Sequence, residues 1–110
     1  MDKLFENICK FLKCKRYRKM EKDDITLEQL EKFVQKGAII IDVRSPQEYN
    51  EGHIDNAICI PNYEIEKKIR KIVTDFNKTI ILYCSTGARS KRVQKKLKRM
   101  GYINVYNLIP

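Results

Sequence analysis

Cys84 and the five residues after it, Ser85, Thr86, Gly87, Ala88 and Arg89, are the part of this chain best suited to chemistry. Before them, Thr79-Ile80-Ile81-Leu82-Tyr83 is a short apolar run that reads as a buried strand. After them comes a lysine- and arginine-rich pattern with helical spacing. A cysteine on a small-residue loop between a strand and a helix N-terminus sits where thiols become thiolates. The helix end brings a partial positive charge, and successive loop N–H groups can curl into an anion-binding nest. Arg89 adds a full positive charge five residues on, and Gly87 permits the backbone curl. Without this loop, Cys84 would read as a small buried hydrophobe at a strand end. With it, Cys84 is a candidate nucleophile.

The flanking sequence supplies elements to hold such a loop. Thr26-Leu27-Glu28-Gln29 is a capping box, and it predicts a helix from Thr26 to about Lys36 with Gly37 as its stop. Ala38 to Val43 is nearly all apolar, as in a strand covered on both faces. Ser45, Pro46 and Glu48 stand at N-cap, N1 and N3 of a short helix that ends at Gly52. Ala57 to Ile60 reads as a short strand closed by Pro61. Residues 62–74 carry helical spacing at Ile65, Ile69 and Ile72. Residues 89–100 predict a helix with Val93, Leu97 and Met100 inward, ended by Gly101, and Tyr102 to Leu108 a last strand. Strands alternating with helices predict an α/β fold with a mostly parallel central sheet of about four to five strands and helices on both faces. Ligands of such sheets bind beyond the carboxyl ends of the strands, where Cys84 would lie.

Composition narrows the function. The chain has 110 residues with 43% apolar content, enough for one domain. Its mean hydropathy is −0.51, and no apolar run approaches the roughly 20 residues of a membrane span. Charge interleaves with apolar residues over Met1 to Lys10, a poor match to a secretory signal, so the expected compartment is the reducing cytosol. The cysteines Cys9, Cys14, Cys59 and Cys84 form no CxxC, and His53 is the sole histidine, so no metal site is expected. The net charge of +9 reads mainly as a solvated basic surface; nucleic acid is disfavoured because no aromatics alternate with the basic residues. Residues 1–24 read as a basic amphipathic segment, helical over Leu4, Phe5, Ile8, Phe11 and Leu12. That stripe is expected to lie on the domain's own core, with a membrane surface as the lesser alternative. Residues 25–110 are the expected domain.

Cys84-Ser85-Thr86-Gly87-Ala88-Arg89 resembles the C-x-x-G-x-R active-site loop of single-domain rhodanese-like sulfurtransferases. Ile41 to Tyr49, Glu51 to Ile54 and Ala57 to Pro61 resemble that family's upstream signature, and Gly101 to Leu108 its late strand. The resemblance implies a rhodanese-like fold and a two-step reaction. Cys84 would take the outer sulfur of thiosulfate or a persulfide, a small anionic donor, and hold it as a persulfide cradled by the N–H groups of Ser85 through Arg89. Cyanide, a thiol or a sulfur-accepting protein would then remove it, with no metal or organic cofactor. Arg89 would orient the donor. Asp42, Arg44 and Ser90 are candidate supporting residues, with Asp42 and Arg44 expected to fix neighbouring loops through hydrogen bonds. His53 is expected to be structural, and Cys59 to pack in the core or serve as a second thiol. The family's pattern continues past the late strand through a Gly-Gly turn into a final helix. Here the sequence ends at Ile109-Pro110, so that helix is expected to be missing, with the Leu4 to Leu12 stripe covering its place.

Three rival functions bear comparison. A cysteine phosphatase has a C-x5-R loop, but the sixth position after Cys84 is Ser90, and no acid near the loop is evident for a leaving group. A non-catalytic rhodanese-like binding or regulatory module would have no need of both Cys84 and Arg89. A basic adaptor for RNA or acidic sulfur-accepting proteins would use Lys91, Arg92, Lys95, Lys96, Lys98 and Arg99 on the outer face of the late helix.

Overall fold

Ile39-Ile40-Ile41 and Ile80-Ile81-Leu82 present aliphatic side chains on both faces of the backbone, which suits strands in the middle of a parallel sheet. The computed structural model describes residues 20–109 and places both runs there. The expected helix over Leu4 to Leu12, with Cys9 and Cys14, lies outside the described residues.

The strands are β1 (Asp24–Ile25), β2 (Ile39–Asp42), β3 (Ile58–Cys59), β4 (Ile80–Tyr83) and β5 (Val105–Leu108). They form one sheet in the order β1-β5-β4-β2-β3, with every pairing parallel. The helices are α1 (Leu27–Gln35), α2 (Pro46–Glu51), α3 (Ile65–Ile72) and α4 (Ala88–Met100). Strand alternation divides the core in two. Ile40, Ile81 and Tyr83 pack on one side with Leu30 of α1, Ile54 and Ala57. Ile41, Ile80 and Leu82 pack on the other with Ile65 and Ile69 of α3 and Val93 and Leu97 of α4.

Local signals in the sequence explain most boundaries. Gln29 returns its side-chain oxygen to the Thr26 N–H at 2.9 Å, opening α1. Ser45 and Glu48 exchange both bonds of a capping box, at 3.0 and 3.2 Å, with Pro46 at the first helical position of α2. Three departures have physical causes. β3 is only two residues long, because Pro61 follows closely and lacks an N–H to extend the ladder. The segment after Pro61 begins as a 3-10 turn over Asn62–Glu64, and α3 ends at Ile72. The backbone turns extended at Val73, which is buried in place of the exposed Ile72. β1 was not legible: two residues carry no periodicity. It forms by pairing Asp24 with Asn107 and Ile25 with Leu108.

The topology creates a crevice. From β2 the chain passes through α2 to β3 on one side, and from β4 through α4 to β5 on the other. The connections part between β2 and β4, and ligands bind at such a switch point. Asp42 and Tyr83 stand in register there, at the two carboxyl ends.

Candidate functional site

Cys84 follows β4 directly, and its loop turns into α4 through Gly87, the helix N-cap. Gly87 adopts φ 92°, a left-handed conformation that a side chain would strain. That geometry aims the Gly87 N–H at Cys84 Sγ, 3.1 Å away. The Ser90 N–H points to the same sulfur at 3.5 Å, and Ser90 Oγ also lies 3.5 Å from it. Cys84 is completely buried. Burial alone would push its thiol up. Hydrogen bonds from the Ser90 hydroxyl and from the backbone of Ser90, Thr86 and Gly87 outweigh burial and hold the thiol below its ordinary range.

Ser90 also bonds the Gly87 carbonyl, at 3.2 Å. A hydroxyl carries one proton. While that proton is on the carbonyl, Ser90 Oγ can accept from the thiol; once the sulfur ionises, the hydroxyl can turn and donate to it. The Gly87 carbonyl has a further donor in Asn107 Nδ2 of β5, at 3.4 Å. Asn107 is buried, and its Oδ1 has no hydrogen-bond partner among the described residues.

Arg89 crosses the crevice to Glu48 of α2. Its two terminal nitrogens meet the two carboxylate oxygens at 2.8 and 3.1 Å, a bidentate pair. Nη2 also donates to Ser85 Oγ at 3.3 Å, so the guanidinium braces the loop it belongs to. The Arg89 guanidinium holds the Glu48 carboxyl down to about 2. An acid does therefore stand near the loop, contrary to expectation, but as a carboxylate that is ionised at neutral pH and has no proton to give there. The sequence marks Glu48 as a capping residue within the upstream signature, and that role masked its second partner.

Below the mouth lies a buried polar network. Asp42 accepts from the Arg44 backbone at 2.9 Å and from its guanidinium at 2.7 to 3.1 Å. Arg44 Nη2 also donates to the Gly52 carbonyl at 2.6 Å. The Tyr83 hydroxyl donates to Asp42 Oδ2 at 2.7 Å and accepts from the Ile54 N–H at 3.0 Å. Burial and the Asp42 anion push the Tyr83 phenol well above its ordinary value. Tyr83, the residue before Cys84, thus ties β4 to β2 and to the loop after α2. Sequence reasoning counted it only as apolar. The available signal was a phenol in an otherwise aliphatic strand, since buried tyrosines seek a partner for the hydroxyl.

The loop residues Cys84 to Ser90 sit together, with Asp42 and Arg44 on the neighbouring strand end behind them. His53 stacks on Tyr49 with ring centroids 3.6 Å apart, and its Nδ1 is 2.9 Å from the Tyr49 carbonyl. Cys59 is half-buried on β3, and burial pushes its thiol up. β2 lies between it and β4, which puts Cys59 and Cys84 about 10 Å apart at Cα. They cannot form a disulfide without backbone movement. Among the described residues no cluster suited to a metal ion occurs, and no helix is long and apolar enough to cross a membrane.

Comparison with known proteins finds relatives over most of the described residues. Residues 26–109 match the model of the rhodanese-like domain. The thiosulfate sulfurtransferase PspE of Escherichia coli (strain K12) is 40% identical over 67 residues, 61% of this chain and 64% of that protein. The chain thus spans under two thirds of that relative's length. The thiosulfate sulfurtransferase GlpE of Pseudomonas syringae pv. syringae is 30% identical over 81 residues, 74% of each chain. A solved rhodanese with anions from E. coli superposes with a TM-score of 0.62 at 38% identity, over 64% of this chain and 84% of that one.

Proposed function

The chain belongs to the rhodanese-like domain family, and from that premise we propose that it is a sulfurtransferase carrying sulfane sulfur on Cys84. The Cys84 thiolate attacks the outer sulfur of thiosulfate or of a persulfide. A Cys84 Sγ–S bond forms, the donor's S–S bond breaks, and sulfite or a thiolate leaves with the electron pair. An acceptor nucleophile then attacks the outer sulfur, and the electron pair returns to Cys84 Sγ. This is covalent catalysis in two half-reactions, with ping-pong kinetics.

The observation that carries this reading is the buried Cys84 Sγ facing the N–H groups of Gly87 and Ser90 and the Ser90 hydroxyl. Those donors favour the anionic thiolate over the thiol, and they would serve a persulfide anion the same way. Thr86 at the loop tip is exposed, so a donor would enter over it. Arg89, braced by Glu48 and Ser85, holds the loop in shape. Asp42, Arg44 and Tyr83 act from behind, fixing the strand ends. A reducing compartment such as the cytosol suits a reaction that needs a free Cys84. The phosphatase reading lacks both the sixth-position arginine, where buried Ser90 stands, and a proton donor, since Glu48 is ionised.

Intact mass after incubation with thiosulfate tests the proposal. The expected result is a gain of one sulfur atom that is absent in Cys84→Ser and discharged by cyanide. A chain that gains no sulfur under these conditions overturns it.

A further inference from the structure

Between α4 and the Asn62–Glu64 turn runs a groove of about 460 Å³. Arg89 stands at one end and Arg99 at the other, with Arg92, Lys95 and Lys96 between them and Tyr63 beside them. Ten helical residues span about 15 Å, so the groove leads from the Cys84 loop along the helix. No carboxylate among the described residues lines it.

The cations of this region differ in whether they are neutralised. Arg89 is paired with Glu48, and Lys96 with Glu66 of α3 at 2.9 Å. On the other side of α4, Lys91 meets Asp24 at 2.5 Å and Lys98 bonds Asp23. Arg92, Lys95 and Arg99 are exposed and have no ion pair with any described residue. A merely solvated basic face would be convex. Here three uncompensated charges line a concavity that opens beside the reactive loop.

We infer that this groove docks an acidic extended protein segment that presents a thiol to Cys84, and so selects the sulfur acceptor. The inference rests on the sulfurtransferase reading above. The groove's length holds about four to five extended residues. Three uncompensated charges favour a segment bearing several carboxylates, and steer it by long-range attraction. A single-stranded nucleic acid fits less well, because Tyr63 is the one aromatic residue among the described residues lining the groove, and successive bases need successive stacking faces. The docked thiolate attacks the outer sulfur of the Cys84 persulfide. The S–S bond breaks, its electrons return to Cys84, and the segment leaves as the persulfide.

The test starts from the full chain loaded with thiosulfate until its mass shows one added sulfur. Two cysteine peptides serve as acceptors, one flanked by glutamates and the other by glutamines. Loss of the sulfur is followed in a single turnover at low and at high salt. The acidic peptide is expected to discharge the protein about tenfold faster at low salt, and to lose that advantage at high salt and in the Arg92→Glu/Arg99→Glu variant. Flanking glutamates raise the peptide thiol's own pKa, so its intrinsic bias runs against this result. Equal rates for the two peptides overturn the inference, as does an advantage that survives the double variant. Tighter binding of oligouridylate than of the acidic peptide also overturns it. Fluorescence anisotropy of the labelled acidic peptide reads docking without sulfur. Binding lost in the double variant supports the groove even in a chain that fails to load, and that failure counts against the Cys84 mechanism alone.

Discussion

Two side chains, Ser90 and Glu48, act on the Cys84 loop from different distances. Ser90 follows Cys84 closely and brings both its N–H and its hydroxyl to Sγ. Removing the hydroxyl leaves the sulfur with fewer donors, so Ser90→Ala is expected to move the pH midpoint of Cys84 alkylation upward. At neutral pH the alkylation rate should fall roughly tenfold, the scale of one hydrogen bond to a charged group. An unchanged pH profile would count against the donor role. Glu48 acts through Arg89. Its carboxyl is lowered from 4.5 to about 2 in the folded protein, so its contribution to stability is complete above about 4.5. That contribution fades as pH falls toward 2. Glu48→Gln keeps an oxygen for the Ser45 N–H but loses the charge. The variant should melt lower than the parent at pH 7, and the difference should close as the pH is taken down through that window. A gap that stays constant with pH would assign the effect to capping instead of charge.

The elements were legible wherever a local signal marks an end. Thr26 with Gln29, Ser45 with Pro46 and Glu48, and Gly101 after Met100 each set a boundary through bonds or backbone conformations within a few residues. β1 and the early end of α3 were not legible, because both depend on partners far along the chain. Tyr83 shows how elements are locked together. Its hydroxyl satisfies a buried carboxylate on β2 and a buried N–H after α2. Tyr83→Phe would leave both groups short of a partner, at a cost of about 1–3 kcal/mol. Urea unfolding should show a lower midpoint with an unchanged slope. A midpoint equal to the parent's would mean that water replaces the hydroxyl at no cost.

For the whole molecule, the net charge of +9 is unevenly neutralised. Ion pairs tie Lys91 and Lys98 of α4 to the segment around β1, while Arg92, Lys95 and Arg99 face the groove with no carboxylate beside them among the described residues. Like charges three and four residues apart repel on a helix by about 0.2–0.5 kcal/mol per pair. Arg92→Gln with Arg99→Gln should therefore leave thermal stability unchanged or slightly raised, most visibly at low salt. A drop in melting temperature would show that these arginines hold the fold together instead of standing ready for a partner. The same division between near and far separates what was readable from what was not. The sequence by itself determined the candidate loop, because Cys84 to Ser90 is one contiguous turn whose donors lie within six residues of the sulfur. It also determined the alternating α/β layout, since periodicity and caps are local. Only the tertiary structure decided that Arg89 spends its charge on Glu48, that Tyr83 reaches Asp42, and that Asn107 supports Gly87. These partners stand 41, 41 and 20 residues apart. A parallel sheet gathers the carboxyl ends of strands that are distant in sequence, and which acid meets which cation there depends on strand order, which no local pattern encodes.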